Sequence, residues 1–365
     1  MVVWALLADA VPLYPLYALL FTATGLSVAE ISALFAIWSA VAVLTEVPSG
    51  ALADRFSRRS CLAAAGFLQA AAYTAWVLMP GFPGFALGFV LWGFGGSLAS
   101  GAKEALLYDG LAAAGAQEHY ARVAGRVAAM ELVAQIPVAA AATWLFSAGG
   151  FGLVGWVSVG TCAAAGVVAA ALPEPPRYGG DEDIGYLATL RSGVAEVFRS
   201  PGVGAVAAAA ALLAAFDAIE EYFPLLVSDW GVAAAAVPLA TLPIVLGGTA
   251  GAALGGAARL LPRWGLGVLL GVATAFLAVA AEAAHPAGVI AVAVFYGGYR
   301  AVLVAVDARL QERIASRSRA TVTSVAGLGT EIATFGAYAA WAAGGVSWLV
   351  VAGVVIAAAL PRLLR

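Results

Sequence analysis

Ionisable side chains are scarce in this chain, and those inside its apolar stretches are the candidates for chemistry. Asp9 stands in "DAVPLYPL" (Asp9–Leu16), and Asp217, Glu220 and Glu221 stand in "DAIEEYFPL" (Asp217–Leu225). Helical spacing puts Asp217, Glu220 and Glu221 on one face. Three neighbouring acids cannot all ionise cheaply, so at least one is expected to hold a proton near neutral pH, as a proton carrier must. The plainer alternative is that Glu220 and Glu221 lie near the outer surface and are solvated. Lys103 and Glu104 fall in "KEALLYD", and Arg300 opens "RAVLVAVD". Both bases can bind an anionic group, or pair with Glu104, Glu131 or Glu331; acids outnumber bases, which favours pairing. Ionisable groups at such depth cost several kcal/mol unless they pair or face water, so they are functional candidates by default.

The elements that must position these residues follow from composition. With 63% hydrophobic and 11% charged residues and a mean hydropathy of +0.96, the 365 residues do not fit a soluble core and shell. They read as a polytopic all-α membrane protein with about twelve apolar runs long enough to cross a bilayer. The expected spans are 2–23, 29–50, 60–79, 84–108, 121–146, 151–172, 202–228, 232–256, 265–283, 287–306, 319–343 and 345–361. The first run reads as a retained helix rather than a signal peptide, since no basic region precedes it. Of the 18 basic residues, all but Lys103 and Arg300 fall on one side of that topology. Loops rich in Arg and Lys face the cytoplasm, which predicts cytoplasmic termini and a multi-pass protein of the cell membrane. The arginines are spread over every loop rather than gathered in a patch, so nucleic acid is not an expected partner. Cys61 and Cys162 read as buried free thiols, with no metal or disulfide framework and no cofactor implied.

The one long polar break, Pro173 to Pro201, divides six spans from six and is amphipathic from Leu187 to Phe198. It predicts an amino-terminal bundle over 1–172, a cytoplasmic linker over 173–200 and a carboxy-terminal bundle over 201–365. The halves share a grammar. "DAVPLYPL" and "DAIEEYFPL" each carry Asp-Ala, a Tyr five residues after the Asp and a Pro-Leu beyond. Lys103 with Asp109 and Arg300 with Asp307 repeat a base followed two turns later by an acid, and Glu131 and Glu331 occupy corresponding places. Such repetition is a signature of transporter folds, in which two pseudo-symmetric six-helix bundles would bring spans 1, 4, 7 and 10 around one cavity.

After the second span, Gly50-Ala-Leu-Ala-Asp54-Arg55-Phe-Ser-Arg58-Arg59 resembles the Gly-x-x-x-Asp-Arg/Lys-x-Gly-Arg-Arg/Lys loop of the major facilitator superfamily. "SGAKEALLYD" (Ser100–Asp109) and "SRATVTSV" (Ser318–Val325) are similar to segments of its bacterial members. The resemblance implies a cytoplasmic gate in which Asp54 faces the start of the eleventh span and Arg58 reaches Asp109, with Gly50 and Arg55 completing the loop. The departures are Ser57 at the usual second glycine, and a second copy, "GAALGGAARLLPRWG", that keeps Arg259 and Arg263 but lacks the acid. Trp92 and Gly95 stand where many proton-coupled members have Arg and Gln, and Pro137 lacks the run typical of drug/proton antiporters.

The acid-rich cavity suits a cationic or neutral amphipathic solute. The expectation is a monomeric secondary active transporter for a small molecule, working by alternating access with protons as coupling ion and exporting its solute. Proton symport or uniport for uptake uses the same architecture. A membrane-embedded transferase would need an Asp-rich metal motif, which the sequence lacks. Trp76, Trp144, Trp156, Trp230, Trp341 and Trp348 read as interfacial anchors. Trp92, Tyr14, Tyr17, Tyr222, Tyr296 and Tyr299 sit on spans expected to line the cavity, and some could stack on a substrate cation.

Overall fold

The computed structural model describes residues 1–55, 57–174, 201–313 and 319–365; the side chains of 46–55, 101, 121, 128, 129, 131, 132, 201 and 319–325 are outside the description. All regular structure among the described residues is helical. The helices are α1 (Val2–Asp9), α2 (Tyr17–Ala23), α3 (Val28–Arg55), α4 (Arg58–Leu78), α5 (Phe82–Ala113), α6 (Tyr120–Ala170), α7 (Pro201–Phe216), α8 (Phe223–Asp229), α9 (Val237–Ala258), α10 (Arg263–Ala283), α11 (Gly288–Arg313) and α12 (Arg319–Leu363). The segment expected to be amphipathic, 187–198, lies outside the described residues.

Among the described residues, ten helical stretches are long and apolar enough to cross a membrane, against the expected twelve. The difference lies in α6 and α12. At 51 residues α6 would run about 77 Å as a straight rod, far beyond a hydrocarbon core of about 30 Å. It is two helices joined at Gly149 (φ −156°, ψ 19°) and Gly150 (φ 59°, ψ −157°). α12 is divided in the same way at Gly344 (φ −164°, ψ 22°) and Gly345 (φ 59°, ψ −144°). The second residue of each pair occupies backbone space that is essentially glycine-only. The same sharp turn therefore recurs at the same place in each half.

The chain forms two compact units, Met1–Glu182 with Ala234–Leu239, and Asp183–Ala233 with Ala240–Arg365. In the first, α4 packs on α5 and α6, α3 on α5, and α1 on α6; in the second, α10 packs on α11 and α12, and α7 on α12 and α11. A Cβ on Gly251 of α9 would run into the carbonyl group of Gly297 on α11, so "GGTAGAALGG" is a close-packing seam of the kind small residues permit in lipid. α3 begins with a capping box, in which Ser27 N donates to Glu30 Oε2 (2.8 Å) and Glu30 N to Ser27 Oγ (3.3 Å).

The first and seventh spans are not the continuous helices expected. Between α1 and α2 the chain passes through residues 10–13 and a 3₁₀ turn at Tyr14–Leu16; between α7 and α8 it passes through a 3₁₀ segment at Asp217–Tyr222. The prolines explain both breaks: Pro12 and Pro15 lack an N–H, and the rings of Pro15 and Pro224 conflict with the carbonyls of Val11 and Glu220. Backbone polar groups at that depth must find partners. Leu13 N donates to Ser158 Oγ at 2.9 Å, and Tyr299 Oη donates to the Leu213 carbonyl at 2.5 Å. The matching "DA…Y…PL" stretches are thus repeated helix breaks.

Three of the six tryptophans expected as interfacial anchors are core residues instead. Trp76 is 1% exposed, ringed by Tyr17, Phe21, Tyr73 and Phe89, and donates from Nε1 to the Phe85 carbonyl. Trp230 is buried, and Trp341 stacks on Tyr222 with centroids 4.2 Å apart. Aromatic packing outweighed the interface there. Trp144, Trp156 and Trp348 are exposed, and Cys61 and Cys162 are buried and form no disulfide among the described residues.

Gly345→Ala meets no atom within 4 Å, so its cost is backbone strain alone, about 1–3 kcal/mol. Gly336→Ala, equally unobstructed but mid-helix, is expected to stabilise by about 0.5–1 kcal/mol. Thermal unfolding in detergent should move in opposite directions for the two variants.

Candidate transport site and gate

The broken seventh span presents its acids to α11. Tyr296 and Arg300, one turn apart, share the face of α11 that meets Asp217. Arg300 Nη1 donates to Asp217 Oδ2 at 2.8 Å, with the two side chains 31% and 30% exposed. The Tyr296 hydroxyl lies 3.0 Å from Asp217 Oδ1 and 2.8 Å from Glu220 Oε2, and Arg300 Nη1 lies 3.4 Å from that hydroxyl. The guanidinium carbon is 5.8 Å from the Tyr296 ring centroid, within cation–π range. Phe223 packs edge-on against Tyr296, and Phe216 against Tyr299. Arg300 Nε is buried with no hydrogen-bond partner among the described residues.

Arg300 pairs with Asp217, an acid not among the partners expected for it. Sequence reading missed this because the two are 83 residues apart, and only the packing of α7 on α11 brings them together. Glu220 is half-buried and bonded to Tyr296, not solvated at the surface. Glu221 and Glu331 are half-buried, Glu104 is exposed, and Lys103 is half-buried on α5. The Glu131 side chain lies outside the described residues.

The first unit places different chemistry at its own break. Asp9 ends α1 with an exposed side chain, and Tyr14 is 40% exposed. Trp92 is half-buried beside Tyr14 (centroids 6.2 Å) and Trp38 (4.9 Å). One break thus offers aromatic rings and the other an ion pair with a second acid. Tyr222, proposed from the sequence as a ligand contact, is 1% exposed beneath Trp341. Its face is covered.

At the arginine-bearing end, Gly50, Asp54 and Arg55 fall in the last turns of α3, and their side chains lie outside the described residues. Arg58 pairs with Asp109, which is 3% exposed, and Arg58 Nη1 also donates to the Ala105 carbonyl at 3.1 Å. The helix α4 begins here on a cap that sequence reading did not foresee. Ser57 Oγ accepts from Ser60 N (3.2 Å) and donates to Glu174 Oε2 (2.5 Å), and Glu174 accepts from the Arg58 and Arg59 amides at 2.8 and 3.1 Å. Ser57 at the glycine position thus has a structural use. Its carboxylate partner lies 117 residues along the chain, beyond any local spacing signal.

Burial pushes the Glu174 carboxyl up, but the Ser57 hydroxyl, the two amides and the Arg59 charge outweigh it and hold the group below its usual value. In the second unit the polarity of the corner is reversed. Arg309 Nη2 donates from α11 to the carbonyls of Arg259 and Leu261, and Arg259 pairs with Glu312 at 2.6 Å. The loop that lacks the acid is held through its backbone.

A depressed carboxyl contributes stability that is present above its unfolded value and lost as pH falls through its folded value. Glu174→Gln is expected to cost about 0.5–1 kcal/mol near neutrality by removing an anion from a helix N-terminus. The difference from the parent chain should close as the pH drops below about 4.3, which thermal melts across a pH series would show.

A family model described as Major Facilitator Superfamily matches residues 2–338. Among solved structures, the chain is similar to a point mutant of the nucleoside transporter NupG (TM-score 0.78, 14% identity, covering 100% of this chain and 98% of that one). It is also similar to a bacterial homologue of the human lysosomal transporter Spinster, inward-facing and occupied (TM-score 0.73, 17%, 100% and 90%). A D-xylose-proton symporter aligns as well (TM-score 0.68, 17%, 100% and 97%). Comparison with curated proteins found no match.

Proposed function

Because this chain belongs to the major facilitator superfamily, we propose that it is a secondary active transporter that exports a small cationic or neutral amphipathic solute in exchange for protons. The observation that carries this reading is the cluster of Asp217, Glu220, Tyr296 and Arg300. Arg300 is neutralised by one acid, so the second acid decides whether the cluster is neutral or negative. A cation and a proton then compete for the same carboxyl group, which couples their movements in opposite directions. Lys103 and Asp9, with Trp92 as an aromatic surface, are the contacts proposed from the first unit.

The bundles 1–172 and 201–365, joined by the linker 173–200, work by alternating access as a monomer in the cell membrane, with both termini cytoplasmic. Gly50, Asp54, Arg55, Arg58 and Asp109 form the cytoplasmic gate. An ion pair of that kind, with a partly buried helix-end contact, contributes about 0.5–2 kcal/mol, enough to bias two conformations without locking either.

A second reading is symport of a neutral solute. It has support in the already neutralised Arg300, and in relatives named for a nucleoside and for xylose with protons.

The test uses purified protein in liposomes with ethidium as cationic probe and uridine and xylose as neutral ones. Under antiport, an acidic interior drives ethidium in, nigericin abolishes the uptake, and Glu220→Gln and Asp217→Asn lose the gradient-driven component. Uptake of a neutral probe driven by an acidic exterior would replace the reading with symport. Transport indifferent to the gradient would overturn proton coupling.

A further inference from the structure

The Tyr296 hydroxyl faces two carboxyl oxygens, Asp217 Oδ1 at 3.0 Å and Glu220 Oε2 at 2.8 Å. A phenol has one hydrogen to donate, and an ionised carboxylate has none. With both acids ionised, one carboxylate oxygen would face the phenol oxygen at hydrogen-bond distance with no hydrogen between them. Arg300 does not resolve the conflict, because its Nη1 donates to Asp217 Oδ2 and, at 3.4 Å, to the Tyr296 oxygen, and neither bond places a hydrogen between the phenol and the second carboxylate. The arrangement is satisfied when one carboxyl group carries the missing hydrogen and donates it to the phenol oxygen. The phenol then donates its own hydrogen to the other.

Which acid carries it follows from the guanidinium. Asp217 holds a charge-assisted bond to Arg300 at 2.8 Å, which stabilises its anion. Glu220 has Tyr296 as its hydrogen-bond partner on α11. The other ionisable groups nearby do not alter the assignment. Tyr299 on α11 donates its hydroxyl to the Leu213 carbonyl and also interacts with Asp217 and Glu220, and Tyr338 on α12 interacts with Glu221, Tyr222 and Glu331. On its own segment Glu220 is flanked by Asp217 and Glu221.

We infer that Glu220 is the proton-bearing acid of this conformation and that Tyr296 is the positioning residue linking it to the Asp217–Arg300 pair. The chain of hydrogens runs from Glu220 O–H to the Tyr296 oxygen, and from Tyr296 O–H to the Asp217 carboxylate. A shift along it breaks the Glu220 O–H bond and forms one on Tyr296, while the original Tyr296 hydrogen moves to Asp217. One proton has then passed from Glu220 to Asp217, and the phenol is unchanged. Glu220 becomes the anion, Asp217 becomes neutral, and Arg300 is released from its partner. The same shift therefore bares a carboxylate for a cationic group and frees a guanidinium. This rests on the proton-coupled reading of the site and names the atom on which the proton sits.

Infrared difference spectroscopy of the full chain in liposomes, titrated across neutral pH, reads protonated carboxyl groups directly. The expected result is a protonated-carboxyl component at neutral pH that is lost in Glu220→Gln, because Asp217 stays ionised against Arg300. In Tyr296→Phe the component should persist but shift to the position of a carboxyl group without its phenol partner, and its titration pH should move. A merely structural role for Tyr296 would change melting without moving that band. A component that survives in Glu220→Gln, or none at all at neutral pH in the parent protein, overturns the assignment; the parent titration needs no variant to fold. If the component maps to Glu220 but no proton gradient drives any probe, the transport reading fails and the proton assignment stands. If gradients drive transport and the component does not map to Glu220, the reverse holds.

Discussion

In a bilayer core no water is at hand to satisfy an amide or carbonyl that leaves its helix, so every interruption of a spanning helix must be repaired by the protein itself. That constraint shapes this chain. Its two halves break their first helices at matching prolines, and each break is tied to a side chain from another helix: Ser158 to the Leu13 amide, and Tyr299 to the Leu213 carbonyl. The breaks also free a stretch of backbone to present its acids sideways.

The two breaks are put to different uses. In the second unit Asp217 and Glu220 come off the 3₁₀ segment to meet Tyr296 and Arg300 on α11. In the first unit the neighbouring surface is aromatic, built from Tyr14, Trp38 and Trp92 above a core of Tyr17, Phe21, Trp76 and Phe89. An internal repeat thus keeps the backbone device and differentiates the chemistry. The arginine-bearing corners show the same division. In one unit an arginine at the start of α4 reaches an acid near the end of α5; in the other an arginine of α11 reaches carbonyls between α9 and α10.

Glycine and proline do the punctuation in both halves. Gly149-Gly150 and Gly344-Gly345 break two overlong helices with nearly the same dihedral angles. Gly251 lets α9 approach α11 at the level of Gly297. The ion cluster sits on α11 close to this seam, since a Cβ on Gly248 would strike the Tyr296 ring. Close packing therefore confines the Tyr296 ring from the side of α9.

Composition and the spacing of apolar runs were enough to determine an all-helical membrane protein with an internal repeat, because a bilayer imposes one length scale and one periodicity on every span. Charge scarcity was enough to point at Asp217, Glu220 and Arg300, because a charge at such depth persists only with a use or a partner. Partners were another matter. That Arg300 meets Asp217, that Glu174 caps α4 through Ser57, and that Trp76 and Trp341 lie in cores are decided by which helix faces pack together. Residues 83 or 117 positions apart carry no local signal of their meeting. Helix periodicity says which side of a helix a residue occupies, but only tertiary packing says what stands opposite it.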